Sequence, residues 1–596
     1  MFMSVYQKRL DLLRDQMSKQ KTDIFIIPNT DPHLSEYIPE HWKIIRWLTG
    51  FTGSAATVVV TAKFAGLWTD SRYHLQAEVE LRGSGVCLMN QGKSAGDYTD
   101  WIGENCKQGE MAVLDGRIYP LAKYRKLEKI LKGKGIRTNL RKDLVSPVWD
   151  NRPDLPFSEA FEHELRFCGI SREEKIARVR DMMKRSGINY NLLTSPDEIM
   201  WLLNIRGGDI EFSPVLLSFA LVGEDQLILF IDERKIPFKL AAAFDKSDVV
   251  ILPYEGTAEV LSDLSPDSVL LLNPLLTSVS VYKSIARRVK IKEGLSFPAR
   301  LKAVKNRTEI EGIERAMLRD GTALVRFLHW FESSTGIKMT EMSLAGKLGE
   351  FRSQAENYLG PSFATIAAFN DHSALPHYVP SAGTDYEIKG NGIILIDSGG
   401  QYKDGTTDIT RTIAVGRPSE KQKKDFTLVL KGMIALSTAK FPVFTRGIQL
   451  DILARQPLWK EGLNYGHGTG HGIGYCLNVH EGPVSISAGS NPDSANGIEP
   501  GMLFSNEPAV YHEGEYGIRT ENMVLSYEDE ESESGRFLRF ETLSLCHIEK
   551  KLIDKSLLHE NEIKWLDDYH SEVYSKLSFF LEHEERLWLQ EKCEPI

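Results

Sequence analysis

The sequence predicts two related α/β domains followed by a larger α+β domain that ends in a helical tail. Three observations carry this reading. The chain has 596 residues, several times the usual domain size of roughly 100–200 residues, which calls for three or four domains. Residues 8–27 (KRLDLLRDQMSKQKTDIFII) place apolar side chains at helical spacing and then form a short apolar strand, and residues 175–193 (KIARVRDMMKRSGINYNLL) repeat the plan, Arg14-Asp15 matching Arg180-Asp181. Further on, Trp47-Leu48 before a glycine turn has a counterpart in Trp201-Leu202 before Arg206-Gly207-Gly208. Such a period reads as one α/β unit used twice; chance similarity between two amphipathic helices is the alternative. The third observation is a change of pattern after residue 300, from helix-like to strand-rich.

Punctuation of the chain sets the boundaries. Residues 145–164 carry three prolines and no periodicity, which places the first boundary there. A second falls near residues 293–299. The expected domains are therefore 1–155, 156–298 and 299–596. Residues 302–332 read as a helix opening the third domain. From Tyr386 onward the runs GIILID, TDITRTIAVG, MLFSNEPAVY and YGIRTENMVL read as strands, and residues 557–589 as an aromatic-rich helical tail packed on that domain.

Composition excludes several classes. Hydrophobic residues are 42% and charged residues 26% of the chain, with a formal net charge of -10, ordinary values for a soluble protein with sizeable cores. No basic tract interleaved with aromatics occurs, so nucleic acid is not an expected partner. The N-terminus lacks the uninterrupted apolar stretch of a signal peptide, and no apolar run reaches the roughly 18 residues of a membrane span. Six cysteines, Cys87, Cys106, Cys168, Cys476, Cys546 and Cys593, are scattered without a CxxC pair, which reads as free thiols in a cytoplasmic protein. The sequon at Asn306 then has no consequence.

Several short segments carry candidate chemistry. Residues 393–397 form an apolar run ending in Asp397, followed by Ser398-Gly399-Gly400; a buried strand of this kind presents a carboxylate at the rim of a sheet. Asp408 lies inside the β-branched run 406–415. Two antiparallel strands joined by the glycine-rich turn would bring both acids face to face, although DSGG alone is also a good turn and Asp408 alone a possible surface residue. Residues 466–474 read GHGTGHGIG. In extended conformation His467, Thr469, His471 and Ile473 share one face, and the bare opposite face lets the backbone lie against another surface. The rival reading, a phosphate loop, lacks the G-x-G-x-x-G spacing and a following Lys-Ser/Thr. His480 follows in NVHEGP, Glu507 stands in SNEPAVY, Glu521 in RTENMVL and His377 in HSALPHY; taken singly, each reads as a structural or surface residue. Together, two Asp, one His and two Glu supply mostly hard oxygen donors. Bridging carboxylates of this sort hold two divalent ions about 3.5–4 Å apart around a shared water, and the donor set suits manganese, with cobalt or zinc as alternatives.

In these contexts and this order, Asp397, Asp408, His471, Glu507 and Glu521 resemble the five metal ligands of the pita-bread metallopeptidases, the family that includes aminopeptidase P, prolidase and methionine aminopeptidase. The stretch SPDEIMWLLNIRGGDIEFSPV and the C-terminal ending are similar to the family's three-domain cytosolic form, with two creatinase-like N-terminal domains before the catalytic domain. The resemblance implies a metal-activated hydroxide that hydrolyses the first bond of peptides with proline second. It implies that Glu507 moves a proton, that His377, His467 and His480 contact substrate, and that Arg519 lies beside the ligands. It also implies an oligomer, expected here as a homodimer, with Trp459 at a possible subunit contact. Three rivals stand beside it: a dipeptidase with the same metals, metal-free creatinase-like chemistry, and a silent binding module with an acidic tail, against which residues 528–533 read as a solvated loop.

Overall fold

The computed structural model describes residues 4–70, 72–89, 96–140, 143–334, 337–489 and 492–596. The chain forms two compact units, Met1–Glu162 with Ile170–Pro298, and His163–Gly169 with Ala299–Ile596.

The first unit contains two six-stranded sheets. β1 (Ile24–Pro28), β2 (Ala56–Thr61), β3 (Ala65–Thr69), β4 (Cys87–Met89), β5 (Met111–Val113) and β6 (Arg137–Asn139) lie in the order β4-β3-β2-β1-β5-β6. β7 (Tyr190–Leu193), β8 (Phe219–Val222), β9 (Leu227–Phe230), β10 (Val249–Leu252), β11 (Val269–Leu272) and β12 (Lys290–Glu293) repeat it as β10-β9-β8-β7-β11-β12. The first three strands of each set pair antiparallel, and the other three join in parallel. The period in the sequence is thus one topology used twice.

The local causes recur as well. The helices α1 (Val5–Lys19) and α2 (Arg172–Ser186) precede β1 and β7, and each is capped by a serine: Ser4 accepts from the Gln7 amide and Ser171 from that of Glu174. Such caps satisfy donors that the first turn leaves open. The matched arginines do matched work. Arg14 Nε donates to the Thr61 carbonyl and Arg180 Nε to that of Gly223, each at 3.1 Å, at the ends of β2 and β8.

The stretch 302–332, expected as one helix, is divided between the helices Phe297–Ala303 and Arg307–Ser333. Asn306 divides them. Its side chain accepts from the Glu309 amide while the Glu309 carboxylate accepts from the Asn306 amide, a reciprocal cap that starts a new helix. The Asn306 side-chain amide also donates to the Cys168 carbonyl at 2.9 Å. The short segment around it belongs to the second unit through further bonds: Tyr475 donates to the Phe167 carbonyl at 2.9 Å, and a ring nitrogen of His163 lies 2.6 Å from that of Lys403.

β13 (Ile366–Phe369), β14 (Gly392–Ser398) and β15 (Ile409–Val415) form an antiparallel sheet with the buried β14 in the middle. A second sheet joins Leu503–Asn506, Asn522–Ser532, Gly535–Thr542 and Lys440–Pro442. Residues 528–533, expected as a loop, are mostly strand and reach the tip of this hairpin; Arg536 pairs with Glu528 and Lys440 with Asp529, each at 2.7 Å, so cross-strand cations allow the acids to stand in a sheet. The C-terminal helices Glu560–Leu577 and His583–Lys592 bury Leu566, Val573, Leu577 and Leu589 in one cluster with Ile313, Val325 and Met433. All six cysteines are unbridged. Among the described residues no helix is long and apolar enough to cross a membrane.

Candidate metal centre

Asp397 sits near the end of β14, where its register partners are Ile366 on β13 and Thr410 on β15. The chain then makes a tight hairpin, Gly400–Tyr402 against Gly405–Thr406, and returns Asp408 just before β15. Gly399 permits that return, because a Cβ there would stand 1.9 Å from the Thr407 carbonyl oxygen.

The segment 466–474 departs from the expected single strand. Only Gly470–His471 is extended in a ladder. The chain bends at Thr469, whose hydroxyl donates to the buried Asp451 at 2.6 Å. The bare glycines do serve as expected: Cβ atoms at Gly470 and Gly472 would stand 2.0 Å from the Ser505 and 2.2 Å from the Glu481 carbonyl oxygens. His471 Nδ1 lies 3.0 Å from the Gly472 carbonyl, which fixes a proton there and makes Nε2 the nitrogen turned to the carboxylates. Nε2 faces Asp408 Oδ2 at 3.4 Å and Glu507 Oε1 at 3.6 Å.

Glu507 follows strand Leu503–Asn506, and its amide donates to the Thr469 carbonyl at 2.8 Å. Glu521 precedes strand Asn522–Ser532; its Oε2 accepts from the Thr410 hydroxyl at 2.7 Å. One ligand atom each from Asp408, His471 and Glu521 lies within 4.8 Å of the other two.

The electrostatics explain what this cluster lacks. Burial raises the Asp397 carboxyl despite Arg519, which donates to it at 2.5 Å, and the Asp408 charge raises it further. Glu521 is pushed well above the carboxylate range by burial and then by Asp408, Asp397 and Glu507. Glu507 rises to about 7, with burial the largest cause and His471 and Arg519 opposing it. Burial acts downward on His471, but the Asp408 and Glu507 carboxylates outweigh it and hold the ring at about 9. Asp397 Oδ1 is buried without a hydrogen-bond partner. Four carboxylates facing one another with an orphaned oxygen and a correctly turned imidazole fit hard divalent cations, which would supply the missing positive charge.

The other predicted residues surround this centre. His480 packs edge-on against His471, ring centroids 4.2 Å apart. His467 Nε2 lies 2.9 Å from the Tyr511 hydroxyl and its Nδ1 4.0 Å from Glu507 Oε2. Arg519 also donates to the Tyr511 hydroxyl at 2.5 Å and to the Pro376 carbonyl at 3.4 Å, which ties down the loop bearing His377. Tyr511 and Thr410 were not anticipated. Tyr511 had a signal: Glu507, Ala509 and Tyr511 alternate through an extended stretch and so share a face.

An acidic cluster set at strand ends with one inward imidazole fits a metallopeptidase class of site, and comparison with known proteins agrees. The profile of metallopeptidase family M24 matches residues 311–528, its C-terminal region residues 536–596, and two creatinase/prolidase N-terminal domain profiles residues 9–139 and 151–309. A probable Xaa-Pro aminopeptidase P of Laccaria bicolor is 38% identical over 99% of this chain and 93% of its own length. One from Aspergillus fumigatus is 38% identical over 99% and 92%. The crystal structure of X-prolyl aminopeptidase from Caenorhabditis elegans, described as a cytosolic enzyme with a di-nuclear active site, superposes with a TM-score of 0.94 at 35% identity and covers all of both chains. The chain belongs to metallopeptidase family M24, and within it to the Xaa-Pro aminopeptidase P group.

Proposed function

We propose that this enzyme releases the first residue of peptides whose second residue is proline, using two divalent ions held by Asp397, Asp408, His471, Glu507 and Glu521. The observation that carries the reading is the pair of carboxylates, Asp408 and Glu507, facing His471 Nε2, with Glu521 grouped beside Asp408 and His471 and Asp397 Oδ1 buried and unpaired. When bound, such ions supply Lewis-acid activation of water and of the scissile carbonyl. The chain's own groups do the rest. Glu507, whose Oε2 faces His467 Nδ1 at 4.0 Å, takes and returns a proton at that oxygen. His480 and His377 donate to the scissile carbonyl and the adjacent substrate backbone. His467, fixed by Tyr511, forms part of the wall on which the proline ring lies. Arg519 holds Asp397 and Tyr511 in place at once.

Manganese is the proposed ion, because oxygen donors outnumber the single nitrogen. The domains are taken as 1–155, 156–298 and 299–596; the unit edge at Pro298 supports the second boundary and the profile start at 151 lies near the first, whereas the profiles meet at 309–311. Cytoplasmic location is supported by unbridged cysteines and by the worm enzyme's description. A homodimer is supported by an exposed apolar stripe on helix Gly447–Trp459, where Ile448, Ile452 and Trp459 recur at spacings of one and two turns; the mass in solution is the check.

Metal-stripped protein supplemented with Mn²⁺ is expected to release arginine from Arg-Pro-Pro and not from Arg-Ala-Ala. Failure to cleave the tripeptide under any metal overturns the proposal, and cleavage of it also excludes a strict dipeptidase. A pH effect follows from the site. The raised His471 and Glu507 pKa values mean that metal-free protein carries protons which the ions must displace. Those protons leave as pH rises, so Mn²⁺ affinity is expected to climb from about pH 6 to about pH 9, with proton release on loading. Calorimetry in two buffers of different ionisation enthalpy measures both; constant affinity across that range counts against the assignment.

A further inference from the structure

We propose that Arg411 and Tyr569 form a positioning device that fixes the Glu521 backbone from behind the metal centre and makes the C-terminal helix part of it. The proposal rests on the reading of Glu521 as a metal ligand. Successive side chains of β15 point to opposite faces. Thr410 faces the carboxylates and donates to Glu521 Oε2 at 2.7 Å. Arg411 is buried on the other face. Its Nε donates to the His547 carbonyl at 3.0 Å. Its Nη1 donates to the carbonyls of Thr410 at 3.0 Å and Glu521 at 2.6 Å. Its Nη2 reaches Asn522 Oδ1 at 2.8 Å, the Cys546 carbonyl at 2.8 Å and the Tyr569 hydroxyl at 2.9 Å.

None of these six acceptors is a carboxylate. A buried cation paired only with neutral groups is costly to bury, and what it secures here is a junction of three chain segments, 410–411, 521–522 and 546–547. Only the flat, five-donor fork of arginine can reach them together. Tyr569 completes the junction from helix Glu560–Leu577. It accepts from Arg411 and has one proton to give, to the Ser544 or Cys546 carbonyl, each at 2.9 Å. Trp565, one turn earlier, stacks on its ring at 5.3 Å and 6°. The carboxylate of Glu521 is thus held by Thr410 in front, and its main chain by Arg411 and Tyr569 behind. Outer partners of this kind set how well a ligand is aimed before the ion arrives.

The test is Mn²⁺ binding by calorimetry to full-length, metal-stripped protein, comparing wild type, Tyr569→Phe, Arg411→Lys and the control Glu562→Gln. Glu562 lies on the same helix and pairs with Lys431 at 2.5 Å, away from the junction. Tyr569→Phe and Arg411→Lys are expected to weaken binding about tenfold or more, Glu562→Gln to leave it unchanged, and excess Mn²⁺ to restore the kcat of Tyr569→Phe. Wild-type affinity in Tyr569→Phe and Arg411→Lys, whatever happens to their melting temperatures, overturns the proposal. So does equal weakening in Glu562→Gln, which would mark a general effect of loosening the tail. A wild-type protein that binds no Mn²⁺ overturns the metal-centre reading itself, an outcome visible before any variant is compared.

Discussion

Asp408→Ala is expected to lower kcat/KM for Arg-Pro-Pro by about a thousandfold, with little change in the stability of the metal-free protein. Asp408 faces His471 Nε2 at 3.4 Å, and its charge raises the carboxyls of Asp397, Glu507 and Glu521. It therefore stands among the other four proposed donors, and its loss removes an oxygen from the proposed set. If it forfeits roughly 4 kcal/mol of the several that bound ions contribute to the transition state, the rate falls by about three decades. Stability should move the other way or not at all, since one of four mutually repelling buried carboxylates is gone. Steady-state kinetics in excess Mn²⁺ and a melting curve of the stripped protein give the two numbers. A variant within tenfold of wild-type activity would remove Asp408 from the metal centre.

The largest effect on stability is expected at Asp320. Arg352 donates to both of its oxygens, Nε to Oδ1 at 2.8 Å and Nη2 to Oδ2 at 2.9 Å, and the Tyr402 hydroxyl donates at 2.9 Å; all three residues are buried. Asp320 and Arg352 belong to helices Arg307–Ser333 and Glu341–Ser353, and Tyr402 to the hairpin between Asp397 and Asp408. Asp320→Ala leaves a buried guanidinium without its anion, which costs about 3–5 kcal/mol. Replacing both partners, as in Asp320→Leu with Arg352→Met, should recover much of that loss, because no charge is then stranded. Denaturant unfolding followed by a probe in the catalytic unit measures the difference, and a loss below about 1 kcal/mol for the single variant would contradict the argument.

What was legible in the sequence follows from range. The segments proposed to bear ligands each carry their own local signature, an apolar strand ending in Asp397 or a proline fixing the chain after Glu507, so short windows sufficed to single them out. The doubled domain was legible because α1 and α2 repeat both an apolar stripe and an arginine. Where partners lie far along the chain, reading failed. The break at Asn306 is an exception, because its reciprocal cap with Glu309 is a local signal that the helical reading of 302–332 passed over. At the bend Thr469 bonds to Asp451, and the bonds of Arg411 reach residues more than a hundred positions away. No local pattern encodes such pairings. The acidic run misled for a related reason: Lys440 and Arg536, which make it tolerable in a strand, come from other strands.

The membership of His163–Gly169 in the second unit bears on how such a protein can be rearranged by recombination. A coding segment that starts at residue 299 specifies less than one folding unit. It strands the Asn306 amide and the Tyr475 hydroxyl, whose acceptors are the Cys168 and Phe167 carbonyls. Shuffling catalytic regions between relatives therefore has two workable forms: the upstream strap travels with the region, or new residues near Asn306 and Tyr475 take over its acceptors. Gene boundaries drawn at the linear domain edge would select for neither.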